Sequence, residues 1–224
     1  MLYAKKGSFM KIAIVGREKD TRNYVKYIST IPAEPVTTLS IGILASCDGI
    51  VLPGGGDITP VFFGEHNNGS RNIDTELDII QFQALEYAIS HRLPVMGICK
   101  GMQVINVAFG GGIIQDLSAS AIHAYNGEDQ YHFTNIEEAS FLADIYGTEL
   151  EVNSAHHQGL KHLGQNLKAV QWCPRDHCVE GITHESLPVF GVQWHPERLD
   201  KKRTTTMGGP LLAYFVSLVS ASWS

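Results

Sequence analysis

The first half of the chain alternates short apolar runs with amphipathic stretches. Residues 11–15 (KIAIV) end at Gly16 and predict a buried strand. A short helix is expected over 21–29 and a weaker strand over 34–37. Residues 41–45 then lead to a strand at 49–52 (GIVL), which stops at Pro53-Gly54-Gly55-Gly56. Leu77, Ile80, Ala84, Leu85 and Ala88 recur at helical spacing and predict a helix over 74–90. A strand over 93–98 runs straight into Cys99, and a helix over 100–109 ends at Gly110-Gly111-Gly112. The apolar runs are continuous, as strands covered on both faces require, so the pattern predicts parallel βαβ units.

The second half changes character. Residues 118–130 are polar and irregular, and strands are expected at 131–136, 150–152, 169–172, 178–183 and 189–194. A helix over 210–219 carries Pro210 in its first turn. No repeat or low-complexity linker divides the chain. The expectation is one α/β domain over 11–224, with a mostly parallel central sheet flanked by helices and an antiparallel extension. Residues 1–10 read as a leader or alternative start with no bearing on function. They lack the apolar centre of a signal peptide, and Met10 stands just before the first strand.

Composition narrows the partners. With 44% hydrophobic and 18% charged residues among 224, wholesale disorder is excluded. The formal charge of −6 argues against a nucleic-acid or anionic-membrane surface. The one dense basic run, Lys201-Lys202-Arg203, is short enough to be a solvated loop. No apolar stretch approaches the ~20 residues that span a bilayer. Cysteines at 47, 99, 173 and 178 are too few and irregular for a disulfide framework. Cys173 and Cys178 have no second pair to complete a zinc site. Reduced thiols in the cytoplasm are expected.

Three segments carry candidate chemistry. Gly97-Ile98-Cys99-Lys100-Gly101 sets a cysteine between a strand and a helix, with a glycine two positions to each side. That is the physical logic of a nucleophile elbow, in which the helix N-terminus favours thiolate and offers free N–H groups. Gly191-Val192-Gln193-Trp194-His195-Pro196-Glu197 puts a histidine just past a strand, with a carboxylate two residues on. A nucleophilic thiol needs such a base, and the base needs an acceptor for its other ring nitrogen. Pro53-Gly54-Gly55-Gly56-Asp57 would share the same rim of a parallel sheet. There the backbone N–H of Gly55, with that of Lys100, can serve as an oxyanion donor.

Together these segments resemble the class I glutamine amidotransferase superfamily. More narrowly, the chain resembles the γ-glutamyl-γ-aminobutyrate hydrolase family of peptidase C26 type. The narrower likeness rests on LPGGGDITPVFFGE (52–65), GICKGMQVINVAFGGGIIQDL (97–117), VNSAHHQGL (152–160) and GVQWHPE (191–197), and extends from about Lys11 to Tyr214. It implies a flavodoxin-like fold, with Cys99 as nucleophile, His195 as general base and acid, and Glu197 as its orienting carboxylate. It also implies an oxyanion hole from the Gly55 and Lys100 amides, with Gln103, Ser154 and His156 facing the substrate. His157 is open between such a role and that of a buried partner of the sheet.

The implied reaction is hydrolysis of a γ-glutamyl amine through a γ-glutamyl thioester, with no metal or organic cofactor. The implied partner is a small γ-glutamyl substrate, and a homodimer is compatible with the family. A glutaminase subunit serving a synthetase partner is the main alternative, and an inactive binding module on the same fold a remote one. Where the family usually shows an Arg-Asp pair and a downstream Glu, this chain reads Asp74-Thr75-Glu76-Leu77-Asp78 with Gln81. The expected ion-pair network is therefore open to change at Leu77. The stretch between Gly16 and Ser40 is also short, so the leaving amine is not inherited from the family.

Overall fold

The computed structural model describes residues 9–222, and most of the 1–10 leader lies outside them. The chain runs β1 (Met10–Val15), α1 (Glu18–Ile28), β2 (Ala33–Thr38), β3 (Gly49–Leu52), α2 (Thr75–His91), β4 (Val95–Ile98), α3 (Lys100–Ala108) and β5 (Gly112–Ile114). It continues as α4 (Ser120–His123), β6 (Gln130–Ile136), α5 (Phe141–Tyr146), β7 (Glu149–Ser154), β8 (Gly159–His162), β9 (Leu167–Trp172), β10 (Val179–His184), β11 (Val189–Val192) and α6 (Gly209–Ala221).

Nine strands form one sheet in the order β2-β1-β3-β4-β11-β10-β9-β6-β7. The first five are parallel. From β11 onward each neighbour is antiparallel. This is the expected mostly parallel sheet with an antiparallel extension. Every residue of β3, β4 and β11 is buried, as continuous apolar runs demand. β2 lies at an edge, where Pro35 costs no ladder hydrogen bond.

Side chains of β1 divide with period two between the core layers. Ile12 and Ile14 join α1 and α6 through Tyr27, Ile28, Leu212 and Phe215. Ala13 and Val15 join α2 and α3 through Ala84, Leu85, Val104 and Ile105. The sheet is thus clamped by helices on both faces. No helix among the described residues is long and apolar enough to cross a membrane.

Local departures from expectation have identifiable causes. Residues 41–45, which lead to the strand at 49–52, form a 3₁₀ turn, Ile41–Ser46. The expected strand over 189–194 stops at Val192. The Gln193 N–H still meets the Glu180 carbonyl at 2.8 Å, in register with β10, and beyond it the His195 N–H leaves the ladder for Asn153 Oδ1 at 3.0 Å. Gly110, at φ 86°, ends α3, while Gly112 already opens β5. The β5–β8 pair, α4 and α5 have three to six residues each, too short for periodicity to register.

Candidate active site

β4 delivers Cys99 to the carboxyl rim of the parallel strands, where the loops after β3 and β11 also emerge. Cys99 sits at φ 53°, ψ −109°, a positive-φ conformation that stores about 1–3 kcal/mol of strain in an L-residue. The flanking glycines make that turn possible. A Cβ on Gly97 would stand 2.6 Å from the Gly101 carbonyl carbon, and one on Gly101 would drive into the Leu52 carbonyl. The Cys99 N–H donates to the Val192 carbonyl at 2.8 Å, tying the elbow to the strand that leads to His195.

The His195 backbone N–H donates to Asn153 Oδ1 at 3.0 Å, and its Nδ1 lies 2.8 Å from Glu197 Oε1. Imidazole and carboxylate are both buried. Gly54 packs between histidine and cysteine. A Cβ built on it would be 3.1 Å from His195 Cε1 and 3.3 Å from Cys99 Cβ, so thiol and imidazole meet across that glycine. Burial opposes a charged imidazole, but the Glu197 carboxylate and the Cys99 sulfur outweigh it and push His195 up to about 10. Cys99 Sγ also accepts from Gln193 Nε2 at 3.4 Å, and Gln103 Nε2 donates to Gln193 Oε1 at 3.1 Å. The Gly54 N–H donates to the Tyr24 hydroxyl at 2.9 Å. Burial, reinforced by Glu197 and Cys99, pushes that phenol well up. The other three cysteines are free and buried, with thiols pushed up by burial.

The model of the Peptidase C26 family matches residues 22–197. The chain belongs to that family. In Schizosaccharomyces pombe, "Putative glutamine amidotransferase PB2B2.05" is 30% identical over 214 residues, covering 91% of this chain and 83% of its own. "Gamma-glutamyl-gamma-aminobutyrate hydrolase PuuD" of Escherichia coli K12 is 32% identical over 179 residues, covering 74% and 69%. A crystal structure from Thermoplasma acidophilum, a "putative gmp synthase subunit a protein", superposes with a TM-score of 0.71 over 96% of both chains at 18% identity, and shares the fold. As a member of the C26 family the chain is a glutamine amidotransferase-like amide-bond hydrolase.

Around Cys99 the C26 fold leaves a polar cavity of about 240 Å³, lined in part by Gly55, Lys100, Gln103 and His156. Lys100 opens α3, where the N–H groups have no intrahelical acceptor. Its ammonium is buried 2.6 Å from Asp78 Oδ1. Asp78 Oδ2 accepts the Thr59 N–H at 2.8 Å and its hydroxyl at 2.6 Å, joining α2, α3 and the glycine loop. Asp74 and Glu76 both pair with Arg17. Leu77 is buried, and Gln81 Nε2 donates to the Val15 carbonyl at 3.1 Å. All three acidic residues at the start of α2 thus find cations without position 77.

The structure does not bring Ser154 to this cavity. Its hydroxyl is buried and donates to the His123 carbonyl at 3.0 Å. His156 lines the wall but turns its ring inward, with Nδ1 2.8 Å from the Gln158 carbonyl. His157 bridges Asp57 Oδ2 at 2.9 Å and Asp116 Oδ1 at 3.0 Å beside the cavity, so it is no buried partner of the sheet. Sequence reasoning passed over Asp57, Asn153 and Gln193, although each stands inside a segment already singled out. Arg71, also at the cavity, and Tyr24 sit outside any motif and had no signal.

Proposed function

We propose that this hydrolase cleaves the γ-glutamyl amide of a small γ-glutamyl amine, with Cys99, His195 and Glu197 as the reacting triad. The observation that carries the reading is the Glu197–His195 hydrogen bond set against Cys99 in a small polar cavity. Glu197 favours the protonated form of His195, which serves as the acid, and the thiolate of Cys99 is the form that reacts. The thiolate attacks the side-chain carbonyl of the γ-glutamyl group. The tetrahedral oxyanion accepts from the Gly55 and Lys100 amides, and the imidazolium gives its proton to the departing amine. A γ-glutamyl thioester remains. Neutral His195 then takes a proton from water, hydroxide adds to the thioester, and glutamate leaves as the thiolate and imidazolium re-form.

The cavity supports a small substrate, since drug-sized ligands take roughly 300–1,000 Å³. Arg71 on one wall, with Asp57 beside it, offers opposite charges to an α-carboxylate and an α-ammonium. Gln103 faces the same space. The test is glutamate release from a panel of γ-glutamyl amides and glutamine, with Cys99→Ala as control. Expected is turnover of γ-glutamyl amines by the isolated chain, reduced roughly 10⁴-fold or more in the variant. Activity on glutamine alone, raised by a synthetase, would replace this reading with an ammonia-delivering subunit. Unchanged activity in Cys99→Ala would remove the triad.

A further inference from the structure

A second buried constellation lies behind the cavity wall and takes no part in the chemistry above. It joins His123 at the end of α4, His132 on β6, His156 after β7 and Glu180 on β10, all at most 5% exposed. Glu180 Oε1 is 3.5 Å from His123 Nδ1, 3.3 Å from His132 Nε2 and 3.6 Å from His156 Nε2. These separations exceed the ~2.7–2.9 Å of a charge-assisted hydrogen bond. Neither oxygen of Glu180, neither ring nitrogen of His132, nor His156 Nε2 finds a hydrogen-bond partner among the described residues. So many orphaned polar atoms in one dry place call for a cation.

The ring orientations say which kind. His156 Nδ1 is committed to the Gln158 carbonyl at 2.8 Å, an acceptor only, so Nδ1 carries a proton and Nε2 is the atom left facing Glu180. His123 Nε2 is committed in the same way to Asp176 Oδ2 at 3.0 Å, which turns Nδ1 to the same carboxylate, with a long 3.4 Å contact to Ser154 Oγ to give up. A metal-ligating histidine is held in this manner, its far nitrogen donating to a carboxylate or a backbone carbonyl. A tetrahedron with arms of about 2.0–2.2 Å has edges of about 3.3–3.6 Å, which are the separations found around Glu180 Oε1. One donor atom each from His123, His156 and Glu180 falls within a 4.8 Å spread. An ion would gather them by moving side chains about 1 Å at most.

We propose that His123 Nδ1, His156 Nε2 and the Glu180 carboxylate, with a water in the fourth position, bind one divalent transition-metal ion of the zinc class. His132 Nε2 steadies that carboxylate. The ion is structural. It fastens α4 and the turn after β7 to the antiparallel half of the sheet, and those two segments supply Ala124, Tyr125, Ala155 and His157 to the cavity. The alternative trio of His123, Cys173 and Asp176 is disfavoured, because the His123–Asp176 contact is already an ordinary hydrogen bond.

The test uses untagged, full-length Cys99→Ala protein, so that the reactive thiol binds no metal. It is stripped with chelator, dialysed against Zn²⁺ or Co²⁺, and assayed for retained metal. Expected are one ion per chain and a Tm raised by roughly 5–10 °C with metal at a hundredfold over Kd. The Co²⁺ form should show a tetrahedral visible spectrum without the near-ultraviolet band of a thiolate ligand. Glu180→Gln and His123→Asn in the same background should lose most of the retained metal. The Co²⁺ spectrum of the parent decides even if those variants fail to fold. No retained ion and no Tm shift would mean that protons alone balance the cluster and would overturn the proposal. Undiminished metal in both variants, or a thiolate band, would overturn it too.

Discussion

Two buried histidine–glutamate constellations lie close together in this hydrolase and are built oppositely. In the first, one imidazole meets one carboxylate at 2.8 Å and faces a thiol across Gly54. In the second, three imidazoles surround one carboxylate at 3.3–3.6 Å, and two of them have their far nitrogens tied to acceptors. A short contact to a single carboxylate fixes the orientation of the imidazole and favours its charged form, so that its other nitrogen can give and take the proton that an acyl transfer moves. Long contacts from several rings to one carboxylate fix no such proton and suit a bound ion. The same residue types serve chemistry or architecture according to distance and the commitment of each ring nitrogen.

The sharpest way to break this contrast is to neutralise each carboxylate in turn. Glu197→Gln is expected to lower kcat for glutamate release by roughly 10²–10⁴-fold, because it removes the acceptor that orients His195, and to lower Tm as well, because it breaks a buried pair. Glu180→Gln is expected to act on stability and leave turnover largely in place. Removing one charge from a buried cluster costs on the order of 3–5 kcal/mol in urea unfolding, while kcat stays within about tenfold and KM rises as the cavity wall loosens. If both variants changed turnover alike, the division between a reacting and a supporting site would fail.

A gentler probe is pH. His195 is raised above its unfolded value near 6.5, so its contribution to stability is fully present below that value and is lost as pH climbs through about 10. Unfolding free energy should therefore fall between pH 7 and 10 more steeply in the wild type than in Glu197→Gln. Activity should fall over the same alkaline range as the imidazolium loses its proton, and in Glu197→Gln that fall should begin at lower pH. A pH–rate profile that superposes for the two proteins would contradict the role given to Glu197. The smallest effect is expected at the support. Asn153→Ala removes the acceptor of the His195 N–H and should cost about 1–3 kcal/mol by denaturant titration.

The candidate site was legible in the sequence because its parts sit on stiff local motifs. Gly97 and Gly101 bracket Cys99 since two backbones meet there, and His195 stands two residues from Glu197 on one turn. The parallel core was legible for a related reason: strands covered on both faces read as unbroken apolar runs. The second constellation left no such trace. Its members stand at 123, 132, 156 and 180, and apart from His156, which lies in VNSAHHQGL, they belong to no motif; their meeting depends on the order of β6, β9 and β10 in the sheet. Ser154 shows the converse. It lies in a motif of the site, yet β7 points its hydroxyl at the His123 carbonyl, and no spacing along the chain encodes that direction.

In the proposed mechanism Cys99 carries the γ-glutamyl group. The most direct measurement is the intact mass of the enzyme quenched in acid during turnover of a γ-glutamyl amine, with the adduct mapped by peptide fragmentation. Expected is a gain of one glutamyl group on Cys99, cleared by hydroxylamine. Full turnover with no adduct in rapid-quench samples, or an adduct on another residue, would contradict the mechanism.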